Sequence, residues 1–193
     1  SGSAWGLVLF ICLAAMVQGS RLHYREKMEA IGRKVIYAFP GSVAGRGGSE
    51  ISTRAVVLEN DDPPRLPASP RVESAAAELW GGPRILKANG RTKIVYTYGT
   101  VAAAEAIRNY RVGQGRFVSQ ADVEGRARVV VLGALVAERL FGRRSALGAT
   151  VRLDGHPFRV VGVSAKKGEQ MVNMGPRDDE QVLLPLTTAQ TLF

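Results

Sequence analysis

The residues that could do chemistry are few and badly spaced for it. Gly45-Arg46-Gly47-Gly48-Ser49-Glu50 looks superficially like a phosphate loop. It lacks the Lys-Ser/Thr that would reach the phosphates and a magnesium ion. Gly113-Gln114-Gly115 is half of a dinucleotide fingerprint, but Arg116-Phe117-Val118 follows where a third glycine belongs. The two histidines, His23 and His156, have no HExxH partner, and His156 follows a turn signal that points it at solvent. No G-x-S-x-G nucleophile elbow exists. Cys12 is the single cysteine, so neither an internal disulfide nor a cysteine-based zinc site can form. Asp178-Asp179-Glu180 is the densest carboxylate run, without the ordered ligand spacing of a calcium loop, and reads as a solvated loop. The expectation is therefore no catalytic, cofactor-binding or metal-binding residue, no cofactor, and a protein that is not an enzyme.

Composition narrows the classes further. The chain has 193 residues, 46% hydrophobic, enough to bury one ordinary core and to exclude wholesale disorder. A net charge of +9 raises nucleic acid or an anionic surface as partners. The charge is spread, with 13 basic and 8 acidic groups in residues 1–97 against 13 and 9 in residues 98–193. Tyr and Phe do not alternate with the basic residues, so no nucleic-acid partner is expected.

The elements that carry these residues begin with an apolar run. Ala4–Val17 holds 14 uncharged residues, about two thirds of what a ~30 Å hydrocarbon core requires. It fits a signal peptide, a buried core helix, or the second half of a transmembrane helix. Gln18–Arg33 continues as a polar helix with Gly32 as its stop, which favours a membrane helix leading into a stalk. Lys34–Phe39 is expected as a strand closed by Pro40-Gly41. Ser42–Glu50 is expected as a mobile loop, and Ile51–Leu58 as a strand. Arg71–Trp80 reads as extended, ending at Gly81-Gly82. Arg84–Ala88 and Arg91–Tyr98 flank Asn89-Gly90, a strong two-residue hairpin signal, and Thr150–Leu153 and His156–Val163 flank Asp154-Gly155 in the same way. Val101–Ile107 is a helix candidate. Ser119-Gln120-Ala121-Asp122 has the form of a capping box. Arg128–Leu132 reads as a strand buried on both faces and Ala134–Phe141 as a helix stopped by Gly142. Gln181–Leu184 is a last strand before a helix capped by Thr187 or Thr188.

Residues 129–165, VVVLGALVAERLFGRRSALGATVRLDGHPFRVVGVSA, resemble the extracytoplasmic core domain of MacB-type ABC transporter permeases. Gly115-Arg116-Phe117, Gln120–Val123, Asp178-Asp179 and the closing VLLPLTTAQTLF extend the resemblance, as does the apolar N-terminus running into KVIYAFPGS. It covers most of the chain and is weakest over residues 42–80. It implies an α+β fold, a MacB-like extracytoplasmic domain with porter and sabre parts. Residues 1–33 would be the end of the first transmembrane helix and its stalk; residues 34–193 would be the core domain, cut short at its C-terminal end. Gly133, Gly142, Gly148 and Gly162 would then be turn and packing positions. The implied function is that of a non-catalytic permease part coupling cytosolic ATP hydrolysis to efflux or extrusion. Implied partners are a separate ATP-binding subunit, a second permease copy, the membrane and, in many relatives, a periplasmic adaptor and an outer-membrane channel. The implied place is the bacterial inner membrane, with this domain on its extracytoplasmic side. An FtsX-like regulatory domain that recruits a cell-wall hydrolase is the alternative.

Overall fold

The computed structural model describes residues 35–47, 50–56, 72–167 and 176–193. The expected membrane helix and stalk, residues 1–33, lie outside them. Among the described residues no helix is long and apolar enough to cross a membrane. Two strands, β1 (Gly41–Gly47) and β2 (Glu50–Val56), pair antiparallel as a separate ladder. Seven more form the main sheet: β3 (Leu79–Ala88), β4 (Arg91–Thr100), β5 (Val112–Gly115), β6 (Val129–Leu132), β7 (Thr150–Leu153), β8 (His156–Ser164) and β9 (Gln181–Pro185). Their order is β5-β8-β6-β9-β4-β3-β7, and β7 pairs back onto β8. Six strands thus close on themselves, and β5 takes the length of the β8 edge that β7 leaves free. The sheet is mixed: β6 lies parallel to β8 and β9 parallel to β4.

Local chemistry explains the two tight hairpins. Asn89 and Gly90 have φ of 52° and 72°, and Asp154 and Gly155 have 48° and 87°, the positive pair a type I′ turn demands. The second turn also closes the ring. The Asp154 backbone N–H donates to the Ile85 carbonyl at 2.9 Å, and its carboxylate accepts from the Ile85 N–H at 2.9 Å and from Arg84 at 3.3 Å. One polar side chain therefore satisfies strand β3 where the β3–β7 pairing has only two residue pairs.

Both faces of the central strands are covered, which accounts for their near-continuous apolar runs. Val130 and Leu132 of β6 and Val182 and Leu184 of β9 enter one core with Leu86, Val151, Phe158 and Val160. The intervening Val131 and Leu183 enter a second core with Tyr110, Phe117, Val118 and Val123. Among the described residues four short helices cover the sheet: α1 (Ala104–Ile107), α2 (Gln120–Glu124), α3 (Ala134–Phe141) and α4 (Leu186–Leu192). Helix α3 buries Val136, Ala137, Leu140 and Phe141, one face at helical spacing, against the first core.

Several expectations change. Val35–Pro40 carries no strand, and the Gly/Ser-rich stretch expected to be a loop is strand β1, because pairing with β2 rather than composition decides it. Strand β3 does not stop at Gly81-Gly82 but runs through them with a bulge against β4. Helix α4 begins at Leu186 with Pro185 at its N-cap position. The threonines expected to cap it bind elsewhere: Thr187 Oγ1 donates to the Val123 carbonyl, and Thr188 Oγ1 donates to the Ala127 carbonyl at 3.0 Å.

The capping box forms as expected. Ser119 Oγ accepts from the Asp122 N–H, and Asp122 Oδ2 accepts from the Ser119 N–H at 2.9 Å. Arg116 adds a two-pronged ion pair to the same carboxylate. Its hydrogen bonds, helped by Ser119 and opposed by burial, hold the Asp122 carboxyl well below the usual carboxylate range. A depressed folded-state pKa gives stability that is present above the unfolded value near ~3.9 and lost as pH falls. Asp122→Asn should therefore cost about 1–2 kcal/mol at pH 7, limited by the half-exposed Arg116. The gap to wild type should shrink as pH drops from ~5 toward ~2. Urea midpoints of both proteins at pH 7 and pH 3 check this; a constant gap would contradict it.

Candidate functional site

The described residues that gather most charge lie where four distant stretches meet. Glu78 precedes β3, Arg108 follows α1, Lys167 lies three residues past β8, and Asp178 opens the short 3-10 turn Asp178–Glu180. Arg108 Nη1 binds Glu78 Oε2 at 2.5 Å, and Arg108 Nη2 lies 3.5 Å from Asp178 Oδ1. Lys167 Nζ donates to Asp178 Oδ2 at 2.7 Å and to the Arg108 carbonyl at 3.2 Å. The Lys167 backbone N–H donates to Asp179 Oδ1 at 3.0 Å. Thr100 Oγ1 donates to Glu78 Oε1 at 3.3 Å, and the Gln181 amide donates to the Pro176 carbonyl at 2.6 Å and to Asp178 Oδ1 at 3.3 Å.

Aromatic rings wall this cluster. Tyr110 lies under both cations, with Arg108 at 5.3 Å and Lys167 at 5.0 Å from its ring centre. Tyr37, from the chain entering the domain, stands 5.5 Å from Arg108. These rings let the guanidinium leave water without losing all its stabilisation. Burial pushes the Glu78 carboxyl up, and Arg108 beside it opposes the shift. Burial pushes the Tyr98 phenol up to about 12 and the Tyr110 phenol well above its ordinary value. Burial also disfavours the Arg108 charge, yet its neighbours hold it firmly protonated. At neutral pH the tyrosines are uncharged, so the carboxylates of Glu78 and Asp178 supply that hold.

The Asp178-Asp179-Glu180 run is therefore not a solvated loop. Asp178 is 9% and Asp179 2% exposed. A backbone approach explains the burial: Gly133, where β6 turns into α3, packs directly on this turn and donates its N–H to the Gln181 carbonyl at 2.8 Å. Sequence reasoning missed Glu78, Arg108 and Lys167 altogether. The one available signal was the place of Asp178-Asp179 in the resemblance. His156 is exposed, as its turn position implied. Among the described residues no group of three or more His, Cys, Asp or Glu could hold a metal ion. The arrangement fastens: it ties residues 78, 108, 167 and 178 into one ion network, and it presents no nucleophile-base pair among the groups just described.

Comparison with known proteins agrees with this fold. The chain is 27% identical over 192 residues to the macrolide export ATP-binding/permease protein MacB of Wolinella succinogenes, covering 97% of this chain and 28% of that protein. It is 25% identical over 187 residues to the pyoverdine export ATP-binding/permease protein PvdT of Pseudomonas aeruginosa, covering 95% of this chain and 26% of that one. The chain thus spans a little over a quarter of these curated relatives. The extracellular domain of the noncanonic ABC-type transporter YknZ from Gram-positive bacteria superposes with a TM-score of 0.59 at 19% identity, over 69% of this chain and 65% of that one. The periplasmic region of MacB from Actinobacillus actinomycetemcomitans gives 0.57 at 21% identity, over 78% and 65%. A family model for the MacB-like periplasmic core domain matches residues 1–193, and the chain belongs to that family.

Proposed function

We propose that this chain is the extracytoplasmic part of an ABC transporter permease, and that it couples ATP hydrolysis in the cytosol to export. The family match over the whole chain carries the reading. Residues 1–33 would end the first membrane helix and form the stalk, and residues 34–193 the core domain. The ATP-binding cassette would belong to a separate subunit, the permease would work as a pair, and a periplasmic adaptor with an outer-membrane channel would complete an export path. The domain itself performs no chemistry in this scheme. It passes on motion, and a continuous helix over Gln18–Arg33 is the element that would deliver it.

The test is mechanical. Glu29→Gly with Ala30→Gly costs about 1 kcal/mol or less per residue in helix propensity, too little to unfold a domain of typical stability. In the full-length protein with its cassette, export of a macrolide or of pyoverdine, the cargoes named for the relatives, should fall sharply while ATP hydrolysis continues. Glu29→Ala, which keeps the helix, should be nearly silent. Equal export by the two variants at equal expression would remove the coupling role. Export of neither probe by the wild type, with septal recruitment of a cell-wall hydrolase, would favour the FtsX-like alternative.

A further inference from the structure

We infer that Arg108 is a positioning residue, a joint that ties the chain entering the domain at Val35–Pro40 to both ends of the 168–175 connection. This rests on the coupling role proposed above and adds where the motion would be handed over. Three observations converge on it. Tyr37 stands in a stretch with no strand pairing, between the exposed Ile36 and Ala38, yet its ring faces the Arg108 guanidinium at 5.5 Å. The other sides of that guanidinium hold Glu78 at 2.5 Å and Asp178 at 3.5 Å. The Arg108 carbonyl accepts from Lys167, which also binds Asp178. Residue 167 precedes the 168–175 connection and residue 178 closely follows it, so the same arginine touches both ends.

The geometry also says why arginine stands there. A planar guanidinium can present its face to a ring while its edges pair with two carboxylates; an ammonium offers a point charge and no face. Glu78, Asp178 and Tyr110 face the guanidinium, Lys167 binds the Arg108 carbonyl and Asp178, and Thr100 of β4 holds Glu78, so the joint is preloaded from the sheet side. The contact to Tyr37 is the weakest link and the only one of these that leads back to the entering chain. Movement of that chain would therefore pass through Arg108 to Glu78, at the start of β3, and to Lys167 and Asp178, which flank the 168–175 connection.

The experiment uses the full-length protein with its ATP-binding cassette in nanodiscs. Cys12 and any further cysteines of the full-length protein are replaced by serine, and spin labels go on Ile36→Cys and Ile94→Cys, which are 92% and 74% exposed. Pulsed dipolar spectroscopy reads the distance distribution without nucleotide and with vanadate-trapped ATP. With Arg108 and Tyr37 intact the distribution should be narrow and the same in both states, since the entering chain and the sheet move together. Tyr37→Leu and Arg108→Lys should broaden it at least twofold in the trapped state, and Tyr37→Phe, which keeps the ring, should restore the narrow form. A narrow distribution in Tyr37→Leu overturns the joint. Equal broadening in Tyr37→Phe and Tyr37→Leu also overturns it, because the ring face would not be what matters. Failure of the coupling proposal shows separately, as a wild-type protein with which no ATP-binding cassette purifies.

Discussion

Phe158→Ala should lower stability by about 3–5 kcal/mol, the cost of a large ring removed from a core that cannot collapse onto the gap. Phe158 is 1% exposed and lies on β8 opposite Val151 of β7, both in the first core. The site is rigid for a topological reason. Strand β8 is hydrogen-bonded to β6 on one edge and to β7 and β5 on the other, so neither edge is free to close a cavity. Typical domains have ~5–15 kcal/mol in total, so this single change would take a large share. Phe39→Ala is the matched control. Phe39 is 65% exposed on the unpaired entering stretch, and its loss should fall within about 0.5 kcal/mol. Urea unfolding followed by far-ultraviolet circular dichroism measures both, and the slope should stay fixed while the Phe158→Ala midpoint drops. Comparable midpoints for the two variants would show that Phe158 does not anchor the core.

The sequence showed this core better than it showed the ion network, and the reason is range. Asn89-Gly90 and Asp154-Gly155 dictate hairpins by themselves, because positive φ at two adjacent residues is a local demand. The Ser119–Asp122 cap and the apolar face of Ala134–Phe141 are local too, and each was legible in a window of a few residues. Strand β1 was hidden because its glycines and serine carry no strand signal; only its partner β2 makes it a strand. The network was hidden more deeply. Glu78 and Arg108 are 30 residues apart, and Arg108 and Lys167 are 59 apart. Nothing in either neighbourhood says that the closed sheet brings them together. Asp178-Asp179-Glu180 looked solvated because three acids in a row normally are, and a nearby backbone with no Cβ reversed that.

That approach gives the second large effect. Gly133→Ala should cost about 2–3 kcal/mol, although the backbone there would accept any residue at φ −60° and ψ 147°. The obstacle is space. A Cβ would stand 2.4 Å from the Asp179 carbonyl oxygen and 2.8 Å from that of Asp178, and both are main chain rather than a side chain able to swing away. The Asp178–Glu180 turn would have to withdraw from the start of α3, carrying Asp178 away from Lys167 and Arg108. Gly90 poses the opposite problem. Nothing lies within 4 Å of its Cβ position, but its φ is +72°. Gly90→Ala should therefore cost about 1 kcal/mol, and Gly90→Asn less, since asparagine tolerates that conformation. At Gly133 asparagine should be at least as damaging as alanine, because added atoms worsen a steric conflict that conformational tolerance cannot relieve. Urea midpoints of the four variants separate the two causes. Costs at Gly133 no larger than those at Gly90, or relief by asparagine at both, would mean that the turn withdraws freely and that Gly133 does not set the position of Asp178.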